Sequence, residues 1–400
     1  MTSATTERAV LAAVIFVVLL SQVMLYPGIR FIVEGLGATT DLQASMWFVV
    51  AEFSAFVVFA IVWGAISDRT AKRAPYIVLG ALGGAAGYVV LVGLPVALGV
   101  TMSFEQILAV RFVQGAMTIG AFSLAMTMLM DLPGGHGANM GAAGIAIGSG
   151  TALGAPVGGL IADIGPLAPL VAAGLLLSLV APLGWLLTDR APPADRETVR
   201  DAVRGLLETP PLGLPFAFGF IDRLTAGFFS LVGVFYFQDH FGLTPMETGI
   251  VLALFFVPFA ALQYPLGVLS DRIGRTIPVV VGSIGYGVGI IFVGSAPTIG
   301  VAGAGMVAVG VLGALVSPAT MALVTDISPD GDRGASMAGF NMAGSLGFLT
   351  GLLAGGLLAD GWGYGSAFLI VGSLEIAIAL LAAPLFVRLR FAHDPLFRPD

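Results

Sequence analysis

Cysteine is absent from the 400-residue chain, which removes disulfides, thiolate metal ligands and thiol nucleophiles together. Histidine is scarce: His136, His240 and His393 fall in predicted loops or the tail with no converging partner, so they assemble neither a metal centre nor a catalytic pair. No phosphate-binding loop, nucleophile elbow or metal-ligand cluster is written in the chain. These absences predict a protein that is not an enzyme, carries no metal or cofactor, and takes its energy from ion gradients rather than from ATP. Charge is scarce too, at 10% of residues, with Lys72 the lone lysine and a formal net charge of -7. A basic surface able to neutralise phosphates is missing, so nucleic acid is not a partner.

What is abundant is apolar. Hydrophobic residues make up 57% of the chain and the mean hydropathy is +0.99, more apolar surface than a water-soluble fold keeps covered; the solvent has to be lipid. At roughly 20 apolar residues per crossing the chain fits about twelve transmembrane helices. Apolar segments fall at about 9–30, 44–66, 75–99, 105–130, 139–162 and 168–188, then 212–237, 245–268, 277–296, 299–325, 336–359 and 366–388. The run from Val10 to Tyr26 lacks a small-residue cleavage site and reads as the first span rather than a cleaved leader.

Basic residues mark one side. With the N-terminus inside, the inner segments collect Arg8, Arg69, Lys72, Arg73, Arg190, Arg196, Arg200, Arg204, Arg272, Arg275, Arg333, Arg388, Arg390 and Arg398, while the opposite loops collect none. The positive-inside rule therefore places both termini in the cytoplasm. Trp47 and Trp362 fall near the outer interface, Trp63 and Trp185 near the inner one, where amphipathic rings settle. The longest polar stretch, 189–211, divides the chain into an N-terminal six-helix bundle at 1–188 and a C-terminal bundle with a short tail at 212–400. Within this linker Val199, Ala202, Val203, Leu206 and Leu207 follow helical spacing, so it is either a short amphipathic helix on the inner leaflet or an irregular connector.

The two halves repeat. GAISDRTAKR after the second span (Gly64 to Arg73) is answered by GVLSDRIGR after the eighth (Gly267 to Arg275). Gly150, Gly154, Gly158 and Gly159 in the fifth span have counterparts Gly347, Gly351, Gly355 and Gly356 in the eleventh at one constant offset, and Asp131 ending the fourth span matches Asp326 ending the tenth. Paired landmarks at the same ordinal spans imply a duplicated six-helix unit.

These residues resemble the major facilitator superfamily, over the whole chain. The first loop is similar to that family's G-x-x-x-D-R-x-G-R-R/K signature through Gly64, Asp68, Arg69, Lys72 and Arg73, with Ala71 in place of the second glycine; the second copy keeps Gly267, Asp271, Arg272, Gly274 and Arg275. The resemblance implies a conformational latch: Asp68 against the start of span 11, Lys72 or Arg73 against Asp131, and by pseudo-symmetry Asp271 against the start of span 5 and Arg275 against Asp326. A plainer role, setting topology, accounts for the same charges. In span 4 the run RFVQGAMTIGA, with Arg111, Gln114, Gly115 and Gly120, looks like the arginine–glutamine–glycine pattern of proton-coupled members; the alternative is that Arg111 snorkels to the outer interface. GSGTALGAPVGG in span 5, with Gly150, Gly154, Pro156, Gly158 and Gly159, is similar to the antiporter glycine–proline motif with its proline one place late. The resemblance points to the twelve-helix drug:proton antiporter branch. It implies an alternating-access transporter in the cell membrane, acting as a monomer with a small-molecule substrate and a proton or other cation as coupling ion.

An acid within a span is costly in lipid unless it faces a cavity or a cation. Glu52 and Asp222 are the leading proton-coupling candidates, with Arg111, Arg223, Glu34 and Arg30 completing the set; Asp222 reads equally well as a fixed pair with Arg223. Glu375, in the last span, reads as interhelical glue, the resemblance placing that span at the periphery. The substrate cavity implied by the family's geometry draws on Gln22, Tyr26, Gln114, Tyr236, Gln263, Tyr264 and Asn341. Few charges line it, which favours an amphipathic or weakly charged cargo, and the antiporter-branch resemblance implies its proton-driven export as a drug or metabolite. Proton-linked uptake of a sugar or carboxylate, lipid translocation, and a sensor that does not transport are the alternatives.

Overall fold

The computed structural model describes residues 4–99, 102–133, 136–189, 209–328 and 333–393. Most of the predicted linker lies outside the described residues, so its amphipathic helix does too. Among the described residues every regular element is helical. In chain order these are α1 (Ala4–Val23), α2 (Ile29–Gly35), α3 (Leu42–Thr70), α4 (Ala74–Leu98), α5 (Phe104–Met130), α6 (His136–Ala162), α7 (Ala168–Ser178) and α8 (Val180–Gly184). There follow α9 (Gly213–Phe228), a π-helical turn (Phe229–Gly233), α10 (Val234–Phe241), α11 (Pro245–Ile273), α12 (Thr276–Gly294), α13 (Ile299–Ile327) and α14 (Arg333–His393).

Ten of the described helical runs are long and apolar enough to cross a membrane. The last of them, Ser336–Leu385, is 50 residues long and is two helices meeting at Gly363, whose φ of 79° no other residue type adopts readily. A shorter apolar stretch, Ala168–Gly184, stands at the sixth predicted span. Lipid leaves backbone amides no partner but the helix itself, so the breaks are few and have local causes. Pro27 and Gly28 part α1 from α2. The starts are set by side chains: Asp41 accepts from the Ala44 amide at 2.6 Å, and Ser103 and Gln106 form a reciprocal capping box at the head of α5. The surface is apolar in the manner lipid requires, with Val89, Ile145, Leu175 and Leu381 each more than 60% exposed.

The chain falls into two compact units, Met1–Glu197 with Phe229–Ala260, and Thr198–Phe228 with Ala261–Asp400. In the first, α6 lies close against α1: a Cβ at Gly154 would sit 2.7 Å from Val23 Cβ, and one at Gly158 would overlap the Met24 carbonyl. In the second, the first helix of α14 lies against α9 in the same way, since a Cβ at Gly347 or Gly351 would overlap the carbonyl of Phe220 or Leu224. Small residues allow backbones in lipid to approach to van der Waals contact, which is the main attraction available there. The glycine ladders thus do the same packing work in both units. The segment 229–260 joins the first unit through Gln238 Nε2, which donates to the Pro27 carbonyl at 2.8 Å, and through an Arg30–Asp239 ion pair at 2.7 Å.

Candidate functional site

The first unit buries a charged network. Arg111 on α5 and Glu52 on α3 are 1% and 2% exposed and form an ion pair. Arg111 Nη1 also donates to Gln114 Oε1 at 2.6 Å, and Gln114 Nε2 donates to Thr118 Oγ1 at 2.9 Å. The guanidinium lies over the Phe48 ring, 4.3 Å from its centroid, with the Tyr88 ring of α4 5.7 Å away. Three helices therefore hold one cation. The approach depends on Gly115, where a Cβ would sit 2.6 Å from the Glu52 carbonyl oxygen. Arg111 does not snorkel to an interface.

The network is incomplete on one side. Glu52 Oε1 makes no hydrogen bond, and on α1 neither does Gln22 Nε2, although both atoms are buried. Tyr26, one turn beyond Gln22, is buried as well and within electrostatic reach of Glu52. Buried polar atoms are ordinarily satisfied, so the unpaired Glu52 oxygen marks a place for a polar ligand group or a proton. Gln22, Tyr26, Glu52, Arg111 and Gln114, predicted separately, belong to the same unit. Tyr88 and Thr118 were not predicted; in a sequence, an aromatic and a hydroxyl inside a span look like packing residues.

The other predicted positions lie elsewhere. Arg30 pairs with Asp239 and stacks 4.3 Å from the Phe235 centroid, while Glu34, predicted beside it, is exposed. Tyr236 is buried and stacked on His240 at 5.2 Å. Gln263 is half-buried, and Tyr264 and Asn341 are exposed. Asp222 on α9 is buried whereas the Arg223 side chain next to it is exposed. The two form no ion pair, which removes the reading of a fixed Asp222–Arg223 couple.

The repeated loops both form ionic contacts. Arg73, rather than Lys72, meets Asp131, and its backbone amide donates to Asp189 Oδ1 at 2.9 Å. Arg275 binds Asp326 at 3.1 Å, Ser270 at 2.8 Å and also Asp271. Burial works against the Arg275 charge, but the hydrogen bonds to Asp271 and Asp326 outweigh it and hold its pKa above the ordinary value. Asp68 is exposed. The substituted motif position is informative: Ala71 ends α3 in the left-handed region at φ 51°, and Gly274 ends α11 there at φ 86°. The motif's second glycine serves as a helix C-cap, and Ala71 occupies that conformation with a Cβ in the way.

A family model of the Major Facilitator Superfamily matches residues 11–237 and again 215–396. A stretch of 165 residues is 33% identical to an uncharacterized MFS-type transporter of Methanocaldococcus jannaschii, covering 41% of this chain and 42% of that protein. A stretch of 161 residues is 33% identical to the multidrug resistance protein MdtG of Escherichia coli, covering 38% of this chain and 39% of that protein. The chain thus spans about two fifths of the length of these curated relatives. Among solved structures, the fold is similar to the nucleoside transporter NupG, with a TM-score of 0.76 at 13% identity, covering 96% of this chain and 100% of that one. It is also similar to a D-xylose-proton symporter, with a TM-score of 0.72 at 16% identity over 94% and 96% of the two chains. Matched twice over by one family model, and carrying its signature loop after both the second and the eighth span, this chain belongs to the Major Facilitator Superfamily of membrane transporters.

Proposed function

We propose that this chain is a secondary active transporter that exports a small amphipathic drug or metabolite in exchange for protons. It acts as a monomer in the cell membrane, with both termini cytoplasmic and two six-helix halves, 1–188 and 212–400, and works by alternating access. The observation that carries the reading is the buried Glu52–Arg111–Gln114 network. A carboxylate held by one cation, with its second oxygen unpaired, is suited to exchange. A proton, or a donor group of the cargo, competes with Arg111 for Glu52, and each occupant changes what the other gains. Gln22 Nε2, in the same unit, is a second buried polar atom without a partner. The direction of transport is supported by the similarity to MdtG, whose name describes multidrug resistance. The ionic loops serve as the latch, through Arg73 with Asp131 and Arg275 with Asp326 within their halves.

The test uses inverted membrane vesicles with an acidic interior and a pH-sensitive dye. Lipophilic cations and neutral amphipaths are expected to discharge the gradient, and Glu52→Gln to abolish that discharge while leaving the protein folded. A sugar or carboxylate panel that carries protons into the lumen together with the solute, acidifying it further, would establish uptake by symport instead. Full drug-driven flux in Glu52→Gln would remove Glu52 from coupling, and silence across every panel would leave the sensor or lipid-translocator alternatives.

A further inference from the structure

The second unit holds a different acid cluster, away from the network just described. Glu375, on the second helix of α14, is 0% exposed, and neither carboxyl oxygen has a hydrogen-bond partner. The Ser283 hydroxyl of α12 lies beside it without closing a hydrogen bond of ordinary geometry. The titratable groups facing it are Asp222 from α9 and the buried phenol of Tyr286 from α12. The nearest cation in sequence, Arg223, is within electrostatic reach of Asp222, with its own side chain exposed.

We infer that Glu375 and Asp222 form a buried carboxyl pair that holds a proton on Glu375 at neutral pH and exchanges it through Asp222. The surroundings are apolar on both sides. About one turn away along both helices lies a cluster containing Phe218, Val279, Leu323 and Ala379, and in the opposite direction Phe228 and Phe368 meet edge to face at 4.9 Å. The depth is set by backbone: a Cβ on Gly287 would sit 2.5 Å from the Gly372 carbonyl, and one on Gly372 the same distance from the Gly287 carbonyl. Gly287 adjoins Tyr286 and Gly372 lies within a turn of Glu375, so α12 and the last helix pack closely beside the acid. An ionised carboxylate without counter-ion or hydrogen bonds is too costly in such a place, and the group becomes neutral by keeping its proton. Asp222, a second buried acid within electrostatic reach, reinforces this, because two interacting carboxylates do not readily ionise together. Asp222 is the wetter member at 7% exposure, next to exposed Arg223, and offers the exit.

Any part this pair plays in coupling rests on the proton-exchange reading above; the protonation does not. The test is infrared spectroscopy of the full chain in liposomes, following the carboxylic-acid C=O band over a pH titration. Wild type is expected to show a protonated-carboxyl band at neutral pH. Glu375→Gln, nearly isosteric with the neutral acid, loses one carboxyl's worth of that band, Glu52→Gln keeps it, and Asp222→Asn changes the pH at which it disappears. No band at neutral pH, or a band unchanged by Glu375→Gln, overturns the proposal. A band that vanishes in Glu375→Gln from a protein showing no drug-driven proton flux upholds the pair and removes the exporter reading.

Discussion

Both units place acids inside the apolar span, and they stabilise them by different means. In the first, Glu52 meets Arg111, which is itself braced by Gln114, the Phe48 ring and Tyr88. In the second, Glu375 meets no cation among the described residues, and the titratable groups near it are Asp222 and a phenol. The loops differ as well. Gly274 takes a left-handed turn without strain, whereas Ala71 takes it with a Cβ. The repeated architecture thus fixes where helices pack, while the few polar residues set the surroundings of each buried acid: a cation beside Glu52, a second acid and a phenol near Glu375.

Removing one side of the charged pair should have the largest effect. Arg111→Ala leaves Glu52 charged and buried, and breaking such a pair costs about 3–5 kcal/mol, read as a lower unfolding midpoint in detergent. A loss under about 1 kcal/mol would mean that Glu52 is already neutral and that the units do not differ. Exchanging the loop residues comes next. Ala71→Gly should stabilise and Gly274→Ala destabilise, each by about 1 kcal/mol; equal and negligible shifts in thermal unfolding would show the two turns to be equivalent.

The ionic loops should give smaller effects, and unequal ones. The Arg275 contacts involve the exposed carboxylates of Asp271 and Asp326, so Arg275→Ala should cost about 0.2–1 kcal/mol and be weakened by salt. Arg73, 7% exposed, should cost more and respond less to salt. If the Arg73→Asp, Asp131→Arg double exchange fails to recover transport lost in either single variant, the latch role fails with it. The smallest effect belongs to Glu375→Gln, expected within about 0.5 kcal/mol of wild type, since an amide replaces an already neutral acid in the same volume. A loss comparable to that of Arg111→Ala would show Glu375 to be charged.

Much of this was legible in the chain. The predicted spans correspond to the observed helices, and the glycine ladders of spans 5 and 11 stand where the residues put them. Arg111, Gln114 and Gly115 were recognisable by spacing because they share one helix. Their link to Glu52 was not, for the two residues are 59 positions apart and nothing local encodes which helix faces which. Arg30 shows the same limit: Glu34 lies one turn away in sequence, yet the ion pair goes to Asp239. Glu375 was discounted as peripheral, because its burial depends on the Gly287–Gly372 approach rather than on its own neighbours.

The sequence by itself determined the class, the approximate number of crossings, the duplication and the loops at which helices end. Lipid demands long apolar segments and closed backbone hydrogen bonding, and both are properties of contiguous residues. Only the tertiary structure decided which buried acid has a counter-ion and which has none. Compensating a charge requires another group within hydrogen-bonding distance, and in a helical bundle that group comes from whichever helix the small residues allow to approach.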